Sequence, residues 1–406
     1  MNIIFVEPSF PHNQREFVRG LHAAGANVIG IGERPAGYLP DEVKGWLADY
    51  VQVSSVVHEP SLLEAVRAVQ SNVWVDRLEA TVEAHIMAAA AVREATGIPG
   101  TSTETAFLCR DKPAMKEALR NAGISCAQSI RASTPQDARD FAAAVGYPLI
   151  VKPPAGAGAA GTFKVRDDDK LESVIVESGL ASGQAVAVEE FIEGHEGYID
   201  TVTIDGEVGH EFITHYYPNV LEAMRERWIS PQMITTNRID APGYREVREM
   251  TRRVIEILDI GTSATHMEWF YGPKGLKFSE IGCRPPGVGQ WDVYCAANEF
   301  DLYFEWAHAL VHGKTHTSPS RRFAAGMIAL RPERDGRITG YSGLDEIGRR
   351  YGDCIVASHL PDAGTPTQPV EAGYMANAWM RVRHPNYDEL RNIMNEIGET
   401  VRVHAG

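Results

Sequence analysis

Two glutamates in the stretch 262–290 have the types and spacing that predict chemistry. This stretch reads as a β-hairpin, in which a turn at YGPKG joins the strands THMEWF and LKFSEI. If the chain reverses at residue 274, Glu268 and Glu280 lie opposite each other on one face. Facing carboxylates repel unless a cation lies between them, and Mg²⁺ prefers oxygen ligands. The pattern therefore predicts a magnesium site, and a surface hairpin with two hydrated glutamates is the alternative.

Two basic side chains extend this candidate site towards phosphate chemistry. Arg284 follows Glu280 by four residues, in a turn that Pro285 and Pro286 stiffen. Lys152 ends the apolar strand LIVK, where a buried ammonium requires an anionic partner. The segment PPAGAGAAGT follows directly, and the backbone N–H groups of such a loop are able to line phosphate oxygens. A flexible hairpin loop without a ligand is the alternative for that segment.

Composition restricts the classes of function. The 406 residues carry a formal net charge of −15, which argues against nucleic acid and membrane surfaces as main partners. Five scattered cysteines without a CxxC pair predict reduced thiols, and no run of about 18 apolar residues is present to cross a bilayer. The opening MNIIFVEPSF lacks the basic leader of a signal peptide. We therefore expect a cytoplasmic protein that acts on small molecules.

The order of apolar runs and turn residues predicts mixed α/β structure. Residues 2–32 read as strand, helix and strand, which predicts a parallel sheet covered by helices. The later segments alternate helices and hairpins, and residues 314–406 read as a smaller α+β appendage. The expected strands include 2–6, 27–32, 50–53, 73–75, 149–152 and 185–192. The expected helices include 14–24, 80–95, 113–122, 135–145, 243–258 and 300–312.

Taken in order, these motifs resemble the ATP-grasp superfamily of carboxylate–amine ligases over about residues 105–313. The resemblance implies an N-terminal α/β domain at 1–103, an ATP-grasp domain at 104–313 and a C-terminal α+β appendage at 314–406. The ATP-grasp domain would have two lobes, the small one at about 104–183 and the large one at about 184–313.

The resemblance also implies a set of nucleotide-binding residues. Lys112, in RDKPAMKEAL, matches the first ATP-binding lysine, and Lys152 matches the second. Glu189 matches the carboxylate that accepts the adenine amino group, although a shift of one residue would give that role to Glu190. Glu196 matches the residue that binds the ribose hydroxyls. The other matches are the loop glycines that close over the phosphates and the hinge at the adenine edge: Gly156, Gly158, Gly161, Phe191 and Ile192.

In the same resemblance, Glu268 and Glu280 are the carboxylates that bind Mg²⁺ or Mn²⁺. Arg284 matches the arginine that stabilises the γ-phosphate during transfer, so that Lys152, Glu280 and Arg284 form the catalytic set. One departure is Gly282, which stands where the superfamily usually has an asparagine as a further metal ligand. A weakened metal site is one consequence, and replacement of that ligand by water or by a neighbouring group is the other.

The hairpin most resembles the dipeptide-forming L-amino-acid ligase and carnosine-synthase-like branch. His266 belongs to this resemblance, either as a substrate contact or as a hydrogen-bonded structural histidine. Arg225 and Arg227 lie where such ligases place contacts to the acceptor substrate, although a charged helix face explains them equally well.

The function implied is that of an ATP-dependent ligase that joins a small carboxylate or amino acid to an amine. The carboxylate would be activated as an acyl-phosphate, with release of ADP and phosphate, and the protein could form a homodimer. Two alternatives stay open. One is a purine-pathway or carboxylase-like enzyme, and the other is an ATP-binding regulator that has lost catalysis, which Gly282 motivates.

Overall fold

The computed structural model describes residues 1–155 and 161–406. Its N-terminal region is a parallel sheet covered by helices. Its strands have the order β3-β2-β1-β4, and every pair in it is parallel. The prediction of a parallel α/β opening is therefore confirmed. The elements are β1 (Asn2–Val6), α1 (Gln14–Ala23), β2 (Asn27–Gly32), α2 (Asp41–Trp46), β3 (Asp49–Gln52), α3 (Glu59–Gln70), β4 (Arg77–Glu79), α4 (Ile86–Thr96) and α5 (Thr103–Leu108).

The fourth strand lies later in the chain than the predicted 73–75, and its residues explain the difference. Leu78 is its buried apolar residue, and the flanking Arg77 and Glu79 form an ion pair at 3.6 Å. Arg93, on α4, donates a hydrogen bond to the carbonyl of Leu78 at 2.8 Å. Because the charged residues here are satisfied inside the fold, the pattern of apolar residues does not reveal the strand.

The second region is a four-stranded sheet whose apolar face packs against two helices. Its strand order is β5-β8-β6-β7, with antiparallel pairing throughout. Ile150 pairs with Glu189, so that Lys152, two residues further on, shares a face with Glu189. The elements are α6 (Lys112–Asn121), β5 (Ser129–Ala132), α7 (Pro135–Val145), β6 (Leu149–Lys152), β7 (Phe163–Val165), α8 (Asp168–Glu177) and β8 (Val186–Glu190).

The largest sheet has eight antiparallel strands in the order β13-β12-β9-β10-β11-β14-β17-β16. Its first part and the helices that follow are β9 (His195–Ile204), β10 (Glu207–Tyr217), α9 (Val220–Ala223), β11 (Gln232–Thr235), α10 (Arg245–Ile257), β12 (Ser263–Gly272), β13 (Gly275–Gly282), α11 (Gln290–Asn298) and α12 (Leu302–His312). The C-terminal elements are β14 (Ala324–Leu330), β15 (Ile338–Ser342), α13 (Leu344–Tyr351), β16 (Ile355–His359), β17 (Ala378–His384), α14 (Tyr387–Thr400) and β18 (Arg402–Ala405).

Residues 314–406, which the sequence predicts as a smaller α+β appendage, contribute strands to this sheet. Strand β14 pairs with β11 on one side and with β17 on the other, and β16 pairs with β17, so these three strands continue the same sheet. Strands β15 and β18 pair with each other in a two-stranded sheet. Every residue of the β14 sequence AAGMIAL is buried, as in a strand covered on both faces. None of the helices in the described ranges is long and apolar enough to cross a membrane.

An aromatic cluster joins the N-terminal sheet to the helices that follow the hairpin. Phe17, on α1, contacts Trp291 on α11 and Trp306 on α12, with ring centroids 5.0 and 5.1 Å apart. These rings belong to one apolar core with Phe5 of β1. The packing fixes the carboxyl ends of the parallel strands beside the segment that follows β13.

Candidate functional site

A cavity of about 970 Å³ lies between the four-stranded sheet and the eight-stranded sheet. Its walls come from α6, the strands β6–β8, the region 216–228, the hairpin and residues 371–374. The cavity brings together most of the side chains that the sequence singled out. Those that line it are Lys112, Lys152, Glu189, Phe191, Ile192, Glu196, Arg225, His266, Glu268, Glu280 and Arg284.

Other predicted residues lie elsewhere. Gly156 and Gly158 fall outside the described residues, and Gly161 has a positive φ of 65° next to Pro153. Arg227 does not line the cavity and donates instead to Asp335 at 2.6 Å. Its predicted contact with substrate has no counterpart in this geometry.

The adjacent carboxylates of Glu189 and Glu190 have different environments. Glu190 accepts a hydrogen bond from Lys274 at 2.5 Å at the edge of the cavity. Glu189 is buried, and its Oε2 atom lies 2.6 Å from Nζ of Lys116 and 3.0 Å from Nζ of Lys152. The geometry therefore favours Glu189 over Glu190 as the interior carboxylate.

Glu280 is the second carboxylate of this charged cluster. Its Oε2 atom lies 3.3 Å from Nζ of Lys112 and 3.7 Å from Nζ of Lys152. Lys152 thus contacts both carboxylates, whereas Lys112 contacts Glu280 and Lys116 contacts Glu189. Such an alternation of buried cations and anions keeps every member ionised, provided that each keeps its partner.

The pKa values of the cluster follow from this pairing. Burial raises the pKa of Glu189, but Lys116 and Lys152 outweigh it and lower the pKa to about 2. Burial likewise opposes ionisation of Glu280, and Lys112 and Lys152 lower its pKa to about 2. For Lys116 burial is the larger effect, and it lowers the pKa to about 8 although Glu189 favours the charged form. Both carboxylates are therefore ionised at neutral pH.

Lys116 is a member of the site that the sequence reasoning missed. Asp111 caps α6 by accepting a hydrogen bond from the backbone N–H of Ala114, so the helix begins at Lys112. Residues four apart lie on the same face of a helix, which places Lys116 one turn beyond Lys112. The spacing KPAMK was the available signal.

The hairpin brings Glu268 and Glu280 opposite each other, as predicted, but by a different route. Gly272 pairs with Gly275, so the chain reverses between residues 273 and 274 rather than at 274. A β-bulge next to Glu268 then adds one residue, Ser279, to β13 and corrects the register. Without the bulge, Ser279 would oppose Glu268 and Glu280 would lie on the other face. Because of the bulge, Glu280 lies on the same face as Glu268 and lines the cavity.

The donor set at the hairpin fits a magnesium ion that is shared with phosphate. Mg²⁺ in nucleotide sites usually takes one or two carboxylates and completes its shell with phosphate oxygens and water. Glu268 and Glu280 provide two such carboxylates on one face. Within the described ranges, no group of three or more His, Cys, Asp or Glu residues is able to hold a metal by itself. Glu268 and Glu280 would thus supply part of a coordination shell, with the rest supplied by a ligand.

Glu268 is held by two neighbouring side chains. The hydroxyl of Tyr216 donates to its Oε1 atom at 3.3 Å, and Nε2 of His266 lies 3.5 Å from the same atom. The other nitrogen of His266 lies 2.7 Å from Asp200, which also accepts a hydrogen bond from Tyr294. Burial lowers the pKa of His266, but Asp200 and Glu268 reverse this and raise it to about 9. These contacts place a protonated imidazole between two carboxylates.

Glu196 forms the far end of the acidic wall. Its Oε2 atom accepts a hydrogen bond from the backbone N–H of Val220 at 2.7 Å, at the start of α9. Burial first, and then the negative charge of Glu268, raise the pKa of Glu196 to about 8. A ligand that donates hydrogen bonds to this side chain would favour its ionised form.

Comparison with known proteins identifies the central part of the chain. Residues 117–300 match the ATP-grasp domain family. This stretch of the chain is therefore similar to an ATP-grasp domain. The matched range lies within the predicted 104–313. Strand β8, which the prediction assigned to the large lobe, pairs in the four-stranded sheet.

Individual relatives of the chain include ligases. It is 30% identical over 220 residues to an L-arginine-specific L-amino acid ligase of Bacillus subtilis, a match that covers 53% of this chain and 52% of that protein. The chain thus spans about half the length of that relative. It is 25% identical over 354 residues to a formate-dependent phosphoribosylglycinamide formyltransferase of Erythrobacter litoralis, covering 82% of this chain and 86% of the relative.

The fold has a counterpart among solved structures. The crystal structure of an L-amino acid ligase from Bacillus licheniformis matches with a TM-score of 0.78 at 18% identity. The match covers 100% of this chain and 98% of that one. The continuation of the large sheet into residues 314–406 is therefore part of a shared architecture.

Proposed function

We propose that this protein is an ATP-dependent carboxylate–amine ligase. It would activate a small carboxylate or amino acid as an acyl-phosphate and join it to an amine, releasing ADP and phosphate. The observation that carries the proposal is the buried cluster in which Lys112, Lys116 and Lys152 meet Glu189 and Glu280 inside one cavity. The similarity to an L-amino acid ligase supports the choice of reaction.

In this proposal the adenine end of ATP lies against β8 and the hinge. The Oε1 atom of Glu189 is buried and has no hydrogen-bond partner among the described residues. A buried acceptor without a donor costs about 1–3 kcal/mol, and the adenine amino group would supply that donor. Phe191 and Ile192 line the cavity next to it, and Glu196 lies where the ribose hydroxyls would bind.

The phosphate end lies against the charged cluster and the hairpin. Glu268 and Glu280 would hold Mg²⁺ together with phosphate oxygens, and the bound metal ion would supply neutralisation of phosphate charge. Lys112 and Lys152, which contact Glu280 in this structure, are the cations within reach of the phosphates. The roles of Gly156, Gly158 and Gly161 in closing over the phosphates stay predictions from the sequence.

The chain's own groups account for the two chemical steps. A substrate carboxylate oxygen forms a bond to the γ-phosphorus while the bond to ADP breaks, and Lys152 and Arg284 stabilise the charge that develops. The amine nitrogen then forms a bond to the acyl carbon while the bond from that carbon to the phosphate oxygen breaks. The departing phosphate takes up the proton that the nitrogen loses, which leaves the amide. Exclusion of water from the cavity during the reaction would protect the acyl-phosphate, which water otherwise hydrolyses. Arg225, at the cavity edge, is the candidate contact for a substrate carboxylate.

A purine-pathway type of ligase is the second candidate. The long match to the formyltransferase, over 86% of that relative, favours it. Such an enzyme would activate formate or another metabolite carboxylate rather than an amino acid. The two candidates share the acyl-phosphate chemistry and differ in the substrates. For either one we propose a cytoplasmic setting, which the five free cysteines support.

The deciding measurement is release of ADP and phosphate with Mg-ATP over a matrix of carboxylates and amines, with products weighed by mass spectrometry. We expect ADP only with a matched pair, together with a product mass equal to the sum of the pair minus water. Turnover with formate but no amino acid would favour the second candidate. Release of AMP and pyrophosphate would contradict the acyl-phosphate route.

Glu280→Gln tests the metal and phosphate assignment in the same assay. We expect the variant to fold and to lose nearly all ADP formation, because a neutral amide neither balances Lys112 and Lys152 nor binds Mg²⁺ well. Glu64→Gln, on the exposed surface of α3, is the matched control. Turnover near that of the wild type in Glu280→Gln would contradict the assignment.

A further inference from the structure

The side chain of Arg284 is held by a residue of the N-terminal region. Its Nε atom donates to Oε2 of Glu83 at 2.6 Å, and its Nη1 atom donates to the carbonyl of Pro285 at 2.8 Å. The side chains of Arg284 and Glu83 are only 15% and 26% exposed. An ion pair at this distance and burial restricts where the guanidinium points.

Glu83 is itself fixed in place. It lies in a 3₁₀ turn, Glu83–His85, between β4 and α4 at the carboxyl end of the parallel sheet. Arg110 donates to the backbone carbonyl of Glu83 at 2.5 Å and lies 3.8 Å from its carboxylate. Arg110 directly precedes Asp111, which caps the helix that carries Lys112. Glu83 therefore connects two segments of the cavity wall.

Gly282 leaves the space in which this ion pair forms. A Cβ atom added at residue 282 would lie 3.5 Å from Cγ of Arg284, 3.7 Å from its Nε and 3.7 Å from Oε2 of Glu83. These are contact distances for the Cβ atom alone, so the further atoms of an asparagine would compete with the pair for the same space. The absence of a side chain at this position thus coincides with the presence of a partner for Arg284.

We propose that Glu83 is a positioning residue for Arg284, so that the N-terminal region completes the phosphate-transfer site. The proposal rests on the function proposed above, in which Arg284 contacts the γ-phosphate. With Nε and Nη1 occupied by Glu83 and Pro285, the guanidinium is oriented before the nucleotide binds. Pre-orientation of a cation lowers the cost of stabilising charge during transfer.

Calorimetry on the full chain with Mg²⁺ tests this inference. It measures the affinity for a non-hydrolysable ATP analogue and the affinity for ADP. We expect the wild type to prefer the analogue. Glu83→Ala and Arg284→Ala should each reduce that preference, by about tenfold, because a misdirected group loses most of its effect. ADP affinity should stay unchanged, and the double variant should resemble Arg284→Ala alone. In the ligase assay, Glu83→Ala should lower kcat more than it changes KM for ATP.

Controls separate this inference from the function on which it rests. Glu64→Ala, on the exposed surface of the same region, should behave as the wild type. Glu83→Gln keeps the shape of the side chain and removes its charge, and it carries the test if Glu83→Ala does not fold. An unchanged preference in Glu83 variants, with a reduced one in Arg284→Ala, would overturn the role of Glu83. A parallel loss of ADP affinity would show a merely structural role. If Arg284→Ala keeps the preference, the proposed function of Arg284 fails instead.

Discussion

Lys116 is buried more completely than either lysine that the sequence indicated, with 1% of its side chain exposed. Its Nζ atom lies 2.6 Å from Oε2 of Glu189, closer than Nζ of Lys152 at 3.0 Å. Two cations on one carboxylate oxygen leave the other oxygen without a partner among the described residues, and this is the acceptor that we propose for the adenine amino group. Each charged side chain of the buried cluster is balanced by one of opposite sign. Removal of one partner therefore leaves a buried charge uncompensated.

Lys116→Met should weaken ATP binding while kcat changes little. Because a hydrogen bond between charged groups contributes about 1.5–3 kcal/mol, we expect the dissociation constant to rise by roughly tenfold or more. Calorimetric titration of the variant with Mg-ATP measures this.

Two comparisons make that result specific. Lys116→Arg restores the positive charge and should recover part of the affinity, whereas Lys170→Met, on the exposed side of α8, should have no effect. Unchanged ATP affinity in Lys116→Met would show that Glu189 does not need its second cation.

Among the secondary-structure elements, strands β9 and β10 carry a buried polar chain on the sheet. Nε2 of His195 lies 2.8 Å from Nδ1 of His215, and Nε2 of His215 lies 2.8 Å from the hydroxyl of Tyr244. Burial first, and then His195 and Arg391, lower the pKa of His215 from 6.5 to about 3. His215 therefore stays neutral in the folded protein over a pH range in which it is protonated in the unfolded chain.

The stability of the fold should consequently fall as the pH drops from about 6.5 towards 3. In this window the unfolded chain binds a proton at His215 that the folded chain does not bind, which favours unfolding. The contribution of this one group approaches about 1.4 kcal/mol per pH unit. Urea unfolding between pH 4 and 7 measures the slope.

His215→Phe removes the titrating group and isolates its part of that slope. The variant should be less stable at pH 7, because it loses two hydrogen bonds, but its free energy of unfolding should depend less on pH. His22→Gln, on the exposed face of α1, is the control and should keep the wild-type slope. Equal slopes for His215→Phe and the wild type would contradict the assignment.

At the scale of the whole molecule, the C-terminal residues contribute strands β14, β16 and β17 to the large sheet. Strand β14 covers the edge of β11, and α14 packs its buried side chains, among them Leu390 and Met394, into a core that also contains Ile234 of β11. Residues 371–374 also line the cavity. The segment 314–406 thus contributes both to stability and to the site.

A fragment ending at residue 313 should fail to fold cooperatively. Removal of residues 314–406 would expose the backbone edge of β11 and one of the apolar cores. An uncovered strand edge promotes aggregation. Thermal unfolding by circular dichroism and size-exclusion chromatography, with the full chain as the reference, check this. A monomeric fragment with a sharp transition and retained ATP binding would show that the C-terminal region is a separate unit.

The sequence by itself determined the features that depend on neighbours along the chain. The parallel opening, α7, β6 and the hairpin follow from apolar periodicity and turn residues, which act over a few residues. Lys152 at a strand end and the paired glutamates were visible for the same reason. These local patterns were enough to indicate a nucleotide site and the class of fold.

The tertiary structure alone decided what depends on residues far apart in the chain. In the folded chain Lys116 pairs with Glu189, and Glu83 pairs with Arg284. Arg227 pairs with Asp335 and does not line the cavity. The tertiary structure also set the register at the bulge and merged β14 into the large sheet. Each of these outcomes depends on packing between segments, and the energy of packing is shared among contacts that no single stretch of sequence contains.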